Sequence, residues 1–336
     1  MTEQAPEPAP PQPPEAAPRQ WHGNAHSSAL NRATGPKAQN KKTPYDVIVI
    51  GGCGAVGSLL VGLLADDGLS VLTVDPSSES DTADRVSGDI RALDEDLAHT
   101  VKEAQVVVLA VPEFVALSTD LSLFGEDALV VETLSVKSGF AAVASTAPAG
   151  LQILGINPMF APSLGMDGRP VAAVAHRAGA RVDDFLHRIG TWGGRVVSVD
   201  VDQHDRVAAA TQALTHAAVL AFGSALASLD VDPALVEAVA PPPARTALAL
   251  LARISGGEPE VYWDVQAGNP YAESARHALA TALADLDSAV TSGEESNFTR
   301  YLLHAGESVP DGDEYRALCA RLFGIVREPA REEDRL

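Results

Sequence analysis

Residues 45–200 predict a doubly wound α/β fold built on a parallel sheet, and residues 201–330 predict an all-α region. Three observations carry this division. Short β-branched runs alternate with helix-like segments through the first region, the pattern of strands joined by right-handed crossovers. A G-x-G-x-x-G loop links the first such run to the first helix-like segment. Beyond residue 200 the strand-like runs give way to long Ala- and Leu-rich segments.

In chain order, residues 1–44 hold nine of the 23 prolines and no apolar period, so a disordered tail is expected there. Order is expected from Tyr45. Asp46 to Ile50 is a short apolar run ending in glycines, as a strand buried on both faces requires. Similar runs occur at Ser70 to Val74, Val106 to Val111, Leu129 to Val131 and Leu151 to Ile156, with helix-like segments at Val56 to Asp67 and Asp94 to Glu103. The later helices are expected at Gln203 to Leu229, Pro233 to Ile254, Glu258 to Leu286 and Glu295 to Leu322. In the first of these, Val207, Leu214 and Ala221 recur every seven residues and mark a buried face, with His216 nearly opposite.

Composition narrows the function classes. The 336 residues carry 45 Asp and Glu against 24 Lys and Arg, a formal charge of −21. That field opposes non-specific binding to nucleic acid or anionic lipid, and any anionic ligand needs local cations. No apolar run reaches the about 18 residues of a membrane span, and no secretory pattern opens the chain. Cys53 and Cys319 are too few for a disulfide framework or a Cys-based zinc site, and no H-E-x-x-H motif occurs. A cytoplasmic protein with a small-molecule ligand and no metal is therefore expected.

The loop Gly52-Cys53-Gly54-Ala55-Val56-Gly57 comes directly after the first strand. Its glycines permit a tight turn, approach of backbone to a pyrophosphate and close helix–strand packing. Asp75, eighteen residues beyond Gly57, is placed to accept hydrogen bonds from ribose hydroxyls and to repel a 2′-phosphate, which favours NAD over NADP. Ligands in such sheets sit beyond the carboxyl ends of the strands, so Val111, Pro112, Glu132, Thr133, Ser135, Lys137 and Asn157-Pro158-Met159-Phe160 are the candidates. Val111, Pro112 and Thr133 are assigned to the cofactor side. Lys137, the last of only five lysines, is assigned to substrate charge, with a plain surface lysine as the alternative.

Together these residues resemble the prephenate and arogenate dehydrogenase (TyrA) family over roughly residues 46–325. The resemblance rests on the glycine loop, Leu109-Ala110-Val111-Pro112, Ser135-Val136-Lys137, Asn157-Pro158-Met159-Phe160-Ala161-Pro162, Gln203-His204-Asp205, Leu214-Thr215-His216 and Arg253. It implies NAD(P)-dependent oxidation of a cyclohexadienyl dicarboxylate, with hydride leaving ring C4 and the C1 carboxylate leaving as carbon dioxide. It also implies a homodimer formed through the helical region. Ser135 is implied to hydrogen-bond the C4 substituent, Arg253 to bind a substrate carboxylate, and His216 to line the site. Blander roles stay open: Arg253 offsetting a helix C-terminal dipole, His216 as a bonded core histidine, and Asp205 as the cap of its own helix.

One residue departs from the family pattern. Asn157 stands where the family has the histidine that takes the C4 hydroxyl proton. An amide orients a group but has no useful proton affinity. A neutral amino group at C4 removes the need for a base in that step, because it already carries the lone pair that expels the hydride. The resemblance therefore extends to the branch that converts 4-amino-4-deoxyprephenate to 4-aminophenylpyruvate on the route to p-aminophenylalanine and antibiotics derived from it. The alternatives are a prephenate or arogenate dehydrogenase in which His204 or His216 relays the proton, and a non-catalytic NAD-binding sensor.

Overall fold

The β-branched runs pair into one sheet in a computed structural model of the chain, which describes residues 19–20, 45–78 and 82–326. The strands are β1 (Arg19–Gln20), β2 (Val47–Ile50), β3 (Val71–Val74), β4 (Arg85–Val86), β5 (Val106–Leu109), β6 (Leu129–Glu132), β7 (Gln152–Pro158), β8 (Pro170–Arg177) and β9 (Arg195–Ser198). From one edge the order is β4-β3-β2-β5-β6-β7-β8-β9-β1. The six strands from β4 to β7 are parallel, and strand order reverses between β2 and β5. That crevice is the ligand position of a doubly wound sheet.

Continuous apolar strands suit a sheet covered on both faces. Ile48 and Ile50 enter a core with Leu72, Val107 and Phe140, while Val47 and Val49 face Leu60, Leu64 and Val108. The sheet is not purely parallel, however. β8 runs antiparallel to β7, because the chain returns through residues 159–169, too few for a crossover helix. Its sequence, PVAAVAHR, is alanine-rich and carries little of the β-branched enrichment that marked the other strands. The expected disordered tail lies outside the described residues except Arg19–Gln20, whose backbone pairs antiparallel with β9.

After β9, Asp200 opens a long helix with a capping box closed by Gln203. Asp205 is therefore not the cap of its own helix. The helix runs from Val201 to Ala208, continues through a π turn at Ala209–Ala213, and returns to α geometry over Leu214–Ser228. The extra residue of a π turn rotates the downstream turns about the helix axis, which takes Leu214 and Ala221 off the line of Val207, and Val207 itself, ahead of the turn, faces outward. Val207 is 50% exposed and Ala221 is exposed, whereas Ala208, Ala209 and Ala213 are buried. By length and composition this 28-residue helix could cross a membrane; in the fold its first turns are tied to the sheet.

The next expected helix, Pro233 to Ile254, is broken into Pro233–Val239 and Pro242–Ser255. Pro241 and Pro242 cause the break, since proline ends one helix and opens the next. Likewise Glu258 to Leu286 is divided by a second π turn, Asp264–Gly268, before the helix Ala272–Thr291. Helices Glu295–Gly306 and Gly312–Ile325 complete the described chain.

Candidate active site

Two sites meet at the carboxyl edge of the sheet, one shaped for a dinucleotide and one beside it at the helical region. In the glycine loop, a Cβ on Gly57 would lie 2.2 Å from the Gly51 carbonyl oxygen, so only glycine lets the helix Ala55–Asp66 start this close to the strand. A Cβ on Gly54 would meet only the Gly51 oxygen, at 3.4 Å. Its open space, at a helix N-terminus without a side-chain cap, is the cradle an anionic phosphate takes. Ala55 and Val56 form the first turn.

Asp75 lies just past β3. It accepts hydrogen bonds from the Cys53 backbone N–H at 3.0 Å and from Ser77 N–H and Oγ at 2.9 and 2.6 Å. Burial pushes its carboxyl up, but these bonds more than offset it and leave it below the ordinary range. Asp75 thus stays ionised and fixed beside the loop. A cavity of about 410 Å³ continues from it past Asp89 and Arg91 to Val111 and Pro112. Arg91 could favour a 2′-phosphate, but Asp89 neutralises it through a paired contact at 2.6 Å. These residues fit a dinucleotide without that phosphate. Thr133 lies on the next strand end, its hydroxyl donating to the Leu109 carbonyl at 3.3 Å.

Beyond β6 the structure corrects one expectation. Lys137 is fully buried, and its ammonium donates to Glu132 Oε2 at 2.7 Å, the Leu134 carbonyl at 2.8 Å and the Ile156 carbonyl at 2.9 Å. All three donors are used, so Lys137 has none left for a substrate carboxylate. It clamps the Ser135 loop to β7 instead. Glu132 is equally buried and also meets His176 Nε2 at 3.0 Å; burial pushes its carboxyl up, and Lys137 and His176 overcome that and hold it ionised. Ser135 rides on the clamped loop, half-buried, and its hydroxyl makes no hydrogen bond among the described residues.

Asn157 lies within β7 rather than after it, 3% exposed. Its Nδ2 is 3.2 Å from His204 Nε2, and His204 Nδ1 is 2.8 Å from Asp205 Oδ1. Asp205 also accepts the backbone N–H groups of Lys137 and Ser138, at 2.8 and 3.0 Å. It therefore caps the helix Ser138–Thr146 from another part of the chain. Burial lowers the His204 pKa despite Asp205, and that imidazole is neutral at neutral pH. In the sequence His204 stands only as an alternative proton relay and Asp205 as a cap of its own helix, although the two are adjacent at the head of the long helix.

His216 and Arg253 form a second group. The His216 ring packs edge-on against Tyr262, centroids 5.0 Å apart, and its buried Nδ1 has no partner. Burial, and then the Arg253 charge, lower its pKa. Arg253 is in the last turn of its helix, exposed and in no ion pair among the described residues. Arg245, by contrast, is spent on the Ala240 and Glu237 carbonyls. No hydrogen bond joins the His216 group to Asn157. Between the two halves lies Glu113, against Gly268; burial, then Asp264, Asp205 and Glu132, push its carboxyl up to about 6.

The chemistry offered is specific: an ionised carboxylate beside the glycine loop, a serine hydroxyl with no hydrogen bond among the described residues, an oriented amide, an orphaned imidazole nitrogen and an exposed guanidinium in no ion pair among the described residues. Comparison with known proteins gives four findings. A family model described as the prephenate dehydrogenase dimerization domain matches residues 200–304. A 4-amino-4-deoxyprephenate dehydrogenase of Streptomyces pristinaespiralis is 45% identical over 282 residues, 82% of this chain and 95% of that protein. The T-protein of Enterobacter agglomerans is 28% identical over 226 residues, 65% of this chain and 55% of that protein. In fold, the chain is similar to a prephenate dehydrogenase from Aquifex aeolicus solved with hydroxyphenyl propionate and NAD+, at TM-score 0.63 and 16% identity over 80% of this chain and 98% of that one.

Proposed function

The chain belongs to the prephenate dehydrogenase family, and we propose that it oxidatively decarboxylates 4-amino-4-deoxyprephenate to 4-aminophenylpyruvate with NAD+, on a route to p-aminophenylalanine and its derivatives. Asn157 carries this reading. It occupies the position at which the family's proton acceptor is expected, and it cannot take a proton at neutral pH. The 45% identity to a protein described by the same reaction supports it.

NAD+, when bound, supplies the hydride acceptor. Gly54 and the helix N-terminus would hold the pyrophosphate, Asp75 would take the ribose hydroxyls, and Val111 and Pro112 would shape the nicotinamide side. Arg253 pairs with a substrate carboxylate as a planar cation. Ser135 and Asn157 orient the C4 amine. Its nitrogen lone pair pushes hydride off C4, giving an iminium. Loss of the C1 carboxylate as carbon dioxide returns two electrons to the ring and converts the iminium to an aromatic amine. Starting from the neutral amine, which has already given its extra proton to solvent, no further proton leaves during hydride transfer, so no enzyme base is needed in that step. A C4 hydroxyl would instead pass through a protonated carbonyl, which is why a base matters for prephenate.

The relay alternative draws on His204 lying behind Asn157, but its Nε2 is already engaged by that amide. The exposed apolar surface of the helical region supports pairing of two copies there.

Assay of the purified protein with NAD+ and prephenate, arogenate or 4-amino-4-deoxyprephenate tests the reading. The amino substrate should lead by about 10²- to 10⁴-fold, the usual worth of a positioned base. Preference for prephenate rejects it. Asn157→His should gain prephenate turnover.

A further inference from the structure

Asn157 has two faces of opposite polarity, and its surroundings decide which one a ligand meets. Asp205 accepts from three donors: His204 Nδ1 and the Lys137 N–H on Oδ1, and the Ser138 N–H on Oδ2. An ionised carboxylate only accepts, so the proton between Asp205 and His204 sits on Nδ1. A neutral imidazole then carries a lone pair on Nε2. That lone pair, 3.2 Å from Asn157, accepts only from the amide N–H. The amide carbonyl is left as the other edge.

We propose that the Asp205–His204 pair is a polarity lock that holds the Asn157 carbonyl toward the C4 substituent, making His204 a positioning and specificity-determining residue. The inference rests on the amino-substrate reading above. Facing that carbonyl, the neutral C4 amine donates one N–H and keeps its lone pair free to expel hydride. Reversed, the amide would donate its own N–H into the lone pair and hold back the electrons the reaction needs. The lock therefore acts on the hydride step rather than on cofactor binding.

The first test needs no substrate. Nitrogen NMR of the full-length protein with ¹⁵N-histidine, with His204 assigned by loss of its signals in His204→Gln, should show the Nδ1–H tautomer. The Nε2–H tautomer overturns the lock whatever the substrate is. The second test is kinetic, with NAD+ and 4-amino-4-deoxyprephenate. His204→Leu should lose about 10- to 100-fold in kcat, the range of one mispaired buried hydrogen bond, with KM for NAD+ unchanged. His204→Gln, which restores an acceptor, should recover most of that loss. Full turnover by His204→Leu, or equal loss in both variants, overturns the proposal. A wild-type protein inactive on the amino substrate but showing the Nδ1–H tautomer would reject the substrate reading and leave the lock standing.

Discussion

The sheet region and the helical region solve the burial problem differently. In the first, β2, β3 and β6 are buried along their whole length, and two apolar clusters cover opposite faces of one sheet. In the second, the buried apolar side chains are few and small, among them Ala208, Ala213, Ile254, Val265 and Ala272, while Leu229, Val239, Trp263, Leu302 and Leu303 are 59 to 71% exposed. A single protomer thus completes its own sheet core but not its helical one. A second copy is the occupant that would cover that surface, in keeping with the dimerization-domain match.

The strongest way to break the contrast is to charge the helical surface. Leu302→Glu with Leu303→Glu should shift the protein to monomer in sedimentation velocity, since each leucine is worth about 1.5–3 kcal/mol when buried and a two-fold contact repeats the loss. Helical signal should melt first while the sheet region persists. A dimer unchanged by both substitutions would place the contact elsewhere. Next in size, Lys137→Met attacks the sheet side from within. It leaves Glu132 charged and buried without its main partner, at a cost of about 3–5 kcal/mol, read as a lower denaturation midpoint with little change in oligomeric state. Stability within about 1 kcal/mol of the parent would argue against a clamp.

A third substitution separates the regions by function. Arg253→Gln lies on the helical side and should raise KM for the substrate by about 10- to 100-fold, the worth of a charge-assisted contact of about 1.5–3 kcal/mol, while KM for NAD+ stays as it was. Parallel rises in both would assign Arg253 to architecture.

How much of this was legible in the sequence depends on the same division. Strands buried on both faces announce themselves as apolar runs, and the glycine loop carries its own geometry, so Gly54, Gly57 and Asp75 were readable in place. β8 was not, because alanines give neither β-branching nor alternation. In the helical region, π turns at Ala209–Ala213 and Asp264–Gly268 insert residues that no periodic reading detects. Lys137 was misread for a different reason: a lysine's burial depends on partners such as Glu132 and the Ile156 carbonyl, which only the fold brings together. Asn157 was recognised by its departure from a family pattern, but the His204–Asp205 pair behind it arises from contacts 47 residues apart.

Glu113 offers the finest test, because it sits where the regions meet. Burial and the carboxylates of Asp264, Asp205 and Glu132 raise it from the ordinary 4.5 to about 6. Between those values the folded protein holds a proton that the unfolded chain has released, so stability falls as pH rises through the window and stays lower above it. Glu113→Gln keeps the shape and removes the charge. At pH 7.5 it should therefore raise Tm by roughly 2–4 °C, about 1 kcal/mol after solvent screening of a half-buried group. At pH 4 the two proteins should melt together. An equal gain at both pH values would assign the effect to something other than charge, and a loss at pH 7.5 would mean that the carboxylate joins the two halves instead of straining them.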